Sequence, residues 1–413
     1  MISVLILTPQ IPWPSHQGAS LRNFNIIQGL AAESDVSLLS FAEPDQSLEV
    51  EPLTSLLRRF ETVPIPQRST TKRIFQLLTS RIPDMGHRLY SAEFFNKLAQ
   101  LLVDLKPDVV QIEGIELART ISVIKQTSPN TKIVFDNHNA ETALQERIYE
   151  TDIQHFKKLP KALYSRIQVA KLRRFEQWAC QEADIVTAVS LRDAEILDAL
   201  RQPEQSKVAA VPNCIDLSNY QVADGHGEKL FDLVFTGKMD YRPNVDAMLW
   251  FTTEIWPLIR QERPKTKLAI VGKNPAPAIL ELDQVKGITV TGAVAEIAPW
   301  LNCSRVMIMP LRMGSGTRLK LIEALAAGLP VVSTSNGAEG YPLEEGKELL
   351  LSNSPADFAK QTLKLLDSPE LQQRLGANGR RFAEDYDWRK VIPQFIKLYR
   401  LFGNSGGTSI CRG

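Results

Sequence analysis

Short, continuous apolar runs recur along the chain and alternate with longer stretches whose apolar residues repeat at helical spacing. The runs predict strands at Ser3–Thr8, Val36–Phe41, Val109–Ile112, Lys132–Phe135, Ile185–Val189, Lys207–Val211, Leu233–Phe235, Lys267–Val271, Ile288–Val290, Val306–Pro310 and Val331–Ser333. Most lack the in-out alternation of a half-exposed strand, which is the pattern of strands covered by helices on both faces. Strand and helix in alternation predict βαβ units and parallel sheets, hence an α/β fold.

The series breaks once. After Val211-Pro212-Asn213 comes an irregular stretch rich in Asp, Gly and Asn, and Phe231–Phe235 then starts a second βαβ series. The simplest division is a doubly wound domain over 1–214, a linker over 215–230 and a second doubly wound domain over 231–386. A terminal helix over 387–402 is a candidate to pack back on the first domain, and the polar tail 403–413 reads as disordered. Pockets in such sheets form outside the carboxyl ends of the strands, so two domains facing each other predict a central cleft.

Composition narrows the class. Of 413 residues, 44% are hydrophobic and 23% charged, ordinary for a globular protein and too apolar for a disordered one. Lys+Arg number 48 against 47 Asp+Glu, a net of +1, so there is no chain-wide nucleic-acid footprint. Met1–Leu7 is apolar at once without a basic flank and soon meets Pro9, which reads as a buried strand rather than a signal peptide. No apolar run reaches the roughly 18 residues of a membrane-spanning helix. Cys180, Cys214, Cys303 and Cys411 are scattered without metal-ligand spacing, which predicts reduced cysteines in a cytoplasmic protein and no metal site.

The richest segment runs from Met307 to Pro330: a buried strand, a small-residue loop and a helix closed by Gly328. Gly314 and Gly316 let the backbone approach a ligand, and a helix N-terminus presents free N–H groups to an anion. Arg318 and Lys320 add positive charge nearby. Positions 316, 319/320 and 323 share one helical face, and seven residues of helical rise put Glu323 roughly 10 Å from such an anion. That is about the span from a diphosphate to the ribose of a nucleotide, where a carboxylate accepts from both hydroxyls. Spacing alone leaves open a generic strand-to-helix turn with a solvated Glu323. The dinucleotide fingerprint fails because position 319 is Leu, and no P-loop exists.

Several segments together resemble family 4 retaining glycosyltransferases of the GT-B type. They are Gly18–Arg22, Phe135-Asp136-Asn137-His138-Asn139-Ala140-Glu141, Ala183–Ser190, Val211–Asp216, Phe235–Ala247, Gly314–Gly328 and Gly337-Ala338-Glu339-Gly340. The resemblance implies two Rossmann-like domains facing a cleft. It further implies a nucleotide-diphosphate-sugar donor held mainly by the C-terminal domain, an acceptor recognised mainly by the N-terminal one, and no cofactor or metal. Carried over residue by residue, it places Lys238 at the donor diphosphate and His138 near the reacting centre. Gly18, Val294, Ser315, Gly316, Thr317, Leu319 and Glu323 become donor-binding, with Glu323 on the ribose and Val294 at the base. Glu113 reads equally as cleft-facing or structural.

Two positions depart from the family pattern. Ser315 stands where the first glutamate of the E-x7-E element is expected, and Asn244 where a second basic residue is expected. Arg318 is a candidate replacement for the missing cation. The resemblance implies front-face transfer in which the leaving diphosphate helps take the acceptor proton, with no carboxylate nucleophile.

Between Asp152 and Glu176 stand Lys157, Lys158, Lys161, Arg166, Lys171, Arg173 and Arg174 with no acid, and Leu163, Ile167 and Ala170 on one helical face. This reads equally as a solvated face or as a docking face for an anionic membrane, where a lipid-linked acceptor would be found. Lys72, Arg73, Arg81 and Arg88, flanking Phe75, Leu77 and Leu78, form a second such patch. The expected enzyme is therefore a glycosyltransferase of polysaccharide or glycolipid synthesis, cytoplasmic and peripheral to the inner membrane face. The alternatives are a non-catalytic nucleotide- or glycan-binding relative and a nucleotide-sugar epimerase.

Overall fold

The computed structural model describes residues 2–14, 18–44, 50–153, 159–220, 229–314 and 316–403. The chain divides into two units, one formed by Met1–Asn213 with Trp388–Gly413 and the other by Cys214–Asp387.

The first unit holds seven parallel strands: β1 (Ile2–Thr8), β2 (Ser34–Ala42), β3 (Arg59–Pro64), β4 (Val109–Glu113), β5 (Lys132–Asn137), β6 (Ile185–Ala188) and β7 (Ala209–Ala210). Their order is β3-β2-β1-β4-β5-β6-β7, which turns back on itself between β1 and β4. Val4 of the central β1 lies opposite Val36 on one side and Val109 on the other. Strands flanked on both sides and covered on both faces bury every residue in their middle, which is why β1 is apolar from Val4 to Leu7 and why β2 buries even Ser37 and Ser40. Phe41 of β2 stacks on Phe94 at 4.4 Å between ring centroids, joining the sheet to the helix Ala92–Leu105.

The helix Trp388–Gly403 completes this unit. Its buried Val391, Ile392, Phe395 and Tyr399 follow one helical face. A Cβ on Gly29 of the helix Gly18–Ala31 would stand 2.4 Å from Ile392 Cγ2, so glycine is what allows the two helices to approach.

The second unit holds six parallel strands: β8 (Phe231–Thr236), β9 (Leu268–Val271), β10 (Ile288–Gly292), β11 (Ser304–Met309), β12 (Val331–Ser333) and β13 (Leu350–Leu351). Their order is β10-β9-β8-β11-β12-β13, with the turning point between β8 and β11.

The stretch 215–230, expected as a linker, divides. Residues 214–220 are built into the second unit: Ile215 N–H donates to the Tyr386 carbonyl at 3.0 Å, and Leu217 N–H to Asp387 Oδ2 at 3.1 Å. Ile215 and Tyr220 are buried, and burial of such side chains holds a segment that composition alone marks as irregular. Residues 221–228 lie outside the described residues, as do 404–413 of the polar tail.

β3 and β13 were not among the expected strands. β3 is an edge strand carrying Arg59, Glu61 and Thr62, with only Val63 buried, and β13 has only two residues. Among the described residues, no helix is long and apolar enough to cross a membrane.

Candidate functional site

In the second unit, the strand order puts the carboxyl ends of β8 and β11 side by side at the turning point, where open α/β sheets bind ligands. Two loops leave from there, one through Gly237 and Lys238, the other from Pro310 to Arg318. The helix Arg242–Trp250 follows the first loop and Leu319–Ala326 the second.

The second loop corrects one expectation. Gly314 (φ 110°) and Gly316 (φ 75°) lie in the left-handed region, and Arg318 is the extended cap residue of a helix that starts only at Leu319. Gly316 is therefore off the helix and shares no helical face with Glu323. The rise that connects them is not helical: only Leu319 to Glu323, one turn or about 6 Å, is. Ser315 lies outside the described residues. Thr317 is half-buried with its Cγ2 against Gly340, and Arg318 donates to Asn336 Oδ1 at 3.3 Å.

Glu323 is half-buried and accepts a hydrogen bond from Tyr220 Oη at 2.8 Å. Burial pushes its pKa up, against the Tyr220 hydrogen bond and the charge of Lys320. Arg380 donates to the Tyr220 carbonyl and to the Ala326 carbonyl, clamping the 214–220 segment to the end of the Glu323 helix.

Lys238 Nζ lies 3.5 Å from Asp240 Oδ2, both side chains being close to half exposed. Its carbonyl accepts from Asn244 Nδ2 at 2.8 Å, and Asn244 Oδ1 in turn accepts from Lys320 Nζ at 2.8 Å. Lys320 Nζ also sits 4.1 Å from the centroid of the Phe235 ring, and 2.5 Å from where a Cβ on Gly237 would stand. Lys238, Asn244 and Lys320 are thus linked through one amide. Val294 is half-buried in the loop after β10, the strand at the sheet edge, two places from β8.

In the first unit, Gly18 opens the helix Gly18–Ala31, and Arg22 is one turn further on. The Arg22 guanidinium is bidentate on Asp136, with Nε to Oδ2 at 2.9 Å and Nη2 to Oδ1 at 3.0 Å, and also donates to the Pro212 carbonyl at 2.9 Å. Thr187 Oγ1 donates to Asp136 Oδ1 at 2.5 Å. His138, just past the end of β5, meets Glu113 Oε2 through Nε2 at 2.8 Å, and Glu113 is fully buried at the end of β4. Glu113 thus supports His138.

The charges of this group set one another. Burial disfavours charge on His138, but the Glu113 hydrogen bond and the Glu113 and Asp136 carboxylates outweigh it and raise its pKa. Burial and the Asp136 charge raise Glu113, while Arg22 outweighs burial at Asp136 and keeps it ionised. Glu113, Asp136 and His138 each place one ligand atom within 4.8 Å of the others, spacing that a metal ion could use. Arg22 already supplies positive charge to Asp136. Next to this group, Glu141 is pushed up to about 8 by burial and by the Glu116 charge.

The basic stretches fall differently. Within the helix Leu159–Glu182, Ser165, Gln168, Leu172, Phe175, Ala179 and Cys180 are buried, so its inward face goes into the protein core. Arg166, Arg173 and Arg174 are exposed, and Arg173 pairs with Glu146; Lys157 and Lys158 lie outside the described residues. The helix Thr70–Thr79 has no buried residue at all, and Ile74 (56%), Phe75 (66%) and Leu78 (78%) are exposed on it.

Sequence reasoning missed Tyr220, Asn244 as a ligand of Lys320, and Arg22. Each reaches its partner across a long stretch of chain, and only the bracketing Gly237 and Glu323 signals were local.

Two family models match the chain, Glycosyltransferase Family 4 over residues 17–219 and Glycosyl transferases group 1 over 231–368. Among curated proteins it is 24% identical to a D-inositol 3-phosphate glycosyltransferase of Streptomyces avermitilis over 52% of either chain. It is 26% identical to a phosphatidyl-myo-inositol mannosyltransferase of Mycobacterium tuberculosis over 49% of this chain and 56% of that one. The chain thus spans about half the length of the curated relatives it matches. Among solved structures, sucrose-phosphate synthase from Thermosynechococcus elongatus superimposes with a TM-score of 0.73 at 15% identity, over 98% of this chain and 100% of that one. Anabaena HepE in complex with UDP-glucose gives 0.66 at 14% identity, over 97% and 100%. These likenesses carry the fold, GT-B, in which each unit is one of two Rossmann-like α/β domains. Matched in each of its two units by a model of the same group, the chain belongs to the family 4 glycosyltransferases, the glycosyl transferases group 1.

Proposed function

We propose that the chain is a retaining glycosyltransferase that moves a sugar from a nucleotide-diphosphate-sugar to a glycan or lipid-linked acceptor. The observation that carries this reading is the turning point of the second sheet. There a glycine-bearing loop, the cations Lys238 and Arg318, and the Tyr220-held carboxylate of Glu323 belong to adjoining segments. In this reading Glu323 accepts from the ribose hydroxyls, and Lys238 and Arg318 meet the diphosphate. Gly316, Thr317 and Leu319, with the N–H groups opening the helix, complete its cradle, Ser315 bonds a sugar hydroxyl, and Val294 touches the base.

Fixed cations and backbone donors aimed at a leaving diphosphate stabilise charge as it develops. The diphosphate takes the acceptor proton on the front face of the sugar, so neither a carboxylate nucleophile nor a metal or other cofactor is required. Glu113 stands behind His138 and raises its pKa against burial, and in this reading, with Nε2 on Glu113, Nδ1 is the ring atom to meet the donor sugar.

The similarity to a phosphatidyl-myo-inositol mannosyltransferase supports the glycolipid side of a glycolipid or polysaccharide setting. The apolar and basic side chains exposed on the helix Thr70–Thr79 support contact with an anionic membrane surface, and the reading takes this to be the cytoplasmic, inner face. The second reading, a non-catalytic nucleotide-binding relative, draws on Asp240, which already pairs with Lys238.

The test is release of nucleoside diphosphate from UDP-, GDP- and ADP-sugars in the presence of a lipid extract or glycan primers. Turnover with one donor, lost in His138→Ala while donor binding persists, is the expected result, and proton NMR of the product should show the anomeric configuration of the donor. Binding without turnover under every acceptor would favour the second reading.

A further inference from the structure

Lys320 stands in an unusual place for a lysine. Its ammonium is half-buried between the end of β8, on the face of Phe235 and over Gly237, and the helix Arg242–Trp250, where Asn244 accepts its hydrogen bond. Among the described residues no carboxylate closes an ion pair on it. The Asn244 amide is neutral, and an aromatic face offers only a weak counter-charge. Glu323, one turn along the same helix, attracts the ammonium, and Arg318, two residues before it, repels it. The Lys320 ammonium is thus partly desolvated beside a glycine-bearing loop, with a neutral amide and an aromatic face as its contacts. An unpaired charge in such a place is costly unless a ligand completes it.

We propose that Lys320 is an anion-binding side chain of this site, aimed by Asn244 and Phe235 at the diphosphate of the donor. This rests on the donor-site reading above and deepens it, since Lys320 is a residue that reading leaves without a role. Gly237 is part of the device, because any side chain there would displace the ammonium from its seat. The arrangement also couples binding to protonation. Burial, with help from the Arg318 charge, depresses Lys320 to about 7, against the pull of Glu323. An arriving diphosphate favours the charged form, so it binds with net uptake of a proton. The groups facing Lys320 are Asn244 and Phe235 from neighbouring elements and Arg318 and Glu323 from its own loop and helix. Of these, Glu323 can also titrate, with burial pushing its pKa up, and Lys320→Met keeps Glu323 in place so that the two contributions separate.

The experiment is calorimetric titration with UDP, and with GDP and ADP in parallel, against wild type, Lys320→Met and the relocated-charge variant Asn244→Lys/Lys320→Met. Measurements run between about pH 7 and 9, with the free nucleotide titrated alone as reference because its terminal phosphate has a second ionisation at about pH 6. Wild type should bind one nucleotide with affinity that falls as pH rises, and the heat in two buffers of different ionisation enthalpy should report fractional proton uptake. Lys320→Met should weaken binding about tenfold or more at pH 7 and flatten the pH profile. Since Asn244 Oδ1 lies 2.8 Å from Nζ, a lysine at 244 returns an ammonium to the same spot and should restore most of the affinity. If Lys320→Met does not fold, Lys320→Gln, which keeps a hydrogen-bond partner for Asn244 without the charge, is read in the same way. Wild-type binding without proton uptake, or a folded Lys320→Met that binds within twofold of wild type, overturns the proposal and leaves the donor site standing. No binding of any nucleotide by wild type overturns both.

Discussion

Tyr220 and Glu323, 103 residues apart in the chain, are joined by a 2.8 Å hydrogen bond in which the phenol donates to Oε1. The bond does two things. It satisfies one oxygen of a carboxylate that burial would otherwise drive towards protonation, and it fixes the rotamer so that the other oxygen keeps its lone pairs for a ligand. Tyr220→Phe removes this restraint without removing the carboxylate, so nucleoside diphosphate affinity should fall about three- to tenfold with little change in folding, as titration calorimetry would read.

The Arg22–Asp136 pair makes a separate prediction about stability. Arg22 is 1% exposed and Asp136 fully buried, so Arg22→Met leaves an uncompensated charge in the first unit. The expected cost is about 3–5 kcal/mol by chemical denaturation, and Arg22→Met/Asp136→Asn should recover a substantial part of it. A cost under about 1 kcal/mol for the single variant would show that the pair does not hold the sheet end together.

How much of this was legible beforehand depended on how local each signal was. Strands buried on both faces announce themselves as apolar runs, so β1, β2, β4 and β5 could be placed from residues alone, whereas the polar edge strand β3 and the two-residue β13 could not. Gly314 and Gly316 marked the ligand-approaching loop, but a sequence cannot show their left-handed φ, and so the helix was begun three residues early. Glu323 stood out by spacing. Its partner Tyr220 did not, because it sits in a stretch whose composition reads as a linker. Asn244 was visible only as a missing cation, and its contact with Lys320 needs the crossover of β8 and β11 to bring residues 76 positions apart together.

Glu141 gives a prediction with a definite sign. Its folded pKa is raised from the ordinary 4.5 to about 8 by burial first and by the Glu116 charge second. The folded protein holds a proton that the unfolded chain releases, so this contribution is fully present below about pH 4.5 and is lost as pH rises towards about 8. Glu141→Gln imitates the protonated form and does not titrate. Its melting temperature should match wild type near about pH 5 and exceed it near about pH 8; equal shifts at both would contradict a protonated Glu141.

The helix Thr70–Thr79 offers Ile74, Phe75 and Leu78 to solvent with Lys72 and Arg73 beside them, and none of its residues is buried. Phe75→Glu/Leu78→Glu should therefore leave the melting temperature nearly unchanged while reducing co-sedimentation with vesicles rich in phosphatidylglycerol several-fold. Unchanged co-sedimentation would remove this helix from any account of membrane docking.

The central claim is that the turning point of the second sheet holds a nucleoside diphosphate through Glu323. Thermal-shift measurement of wild type and Glu323→Ala against UDP, GDP, ADP, CMP and their common sugars tests it most directly, because a ligand of the native state raises its melting temperature. The account predicts a clear shift with one nucleotide family in wild type and its loss in a Glu323→Ala protein that is otherwise folded. The same shift in both proteins, or none in wild type with any nucleotide, would contradict it.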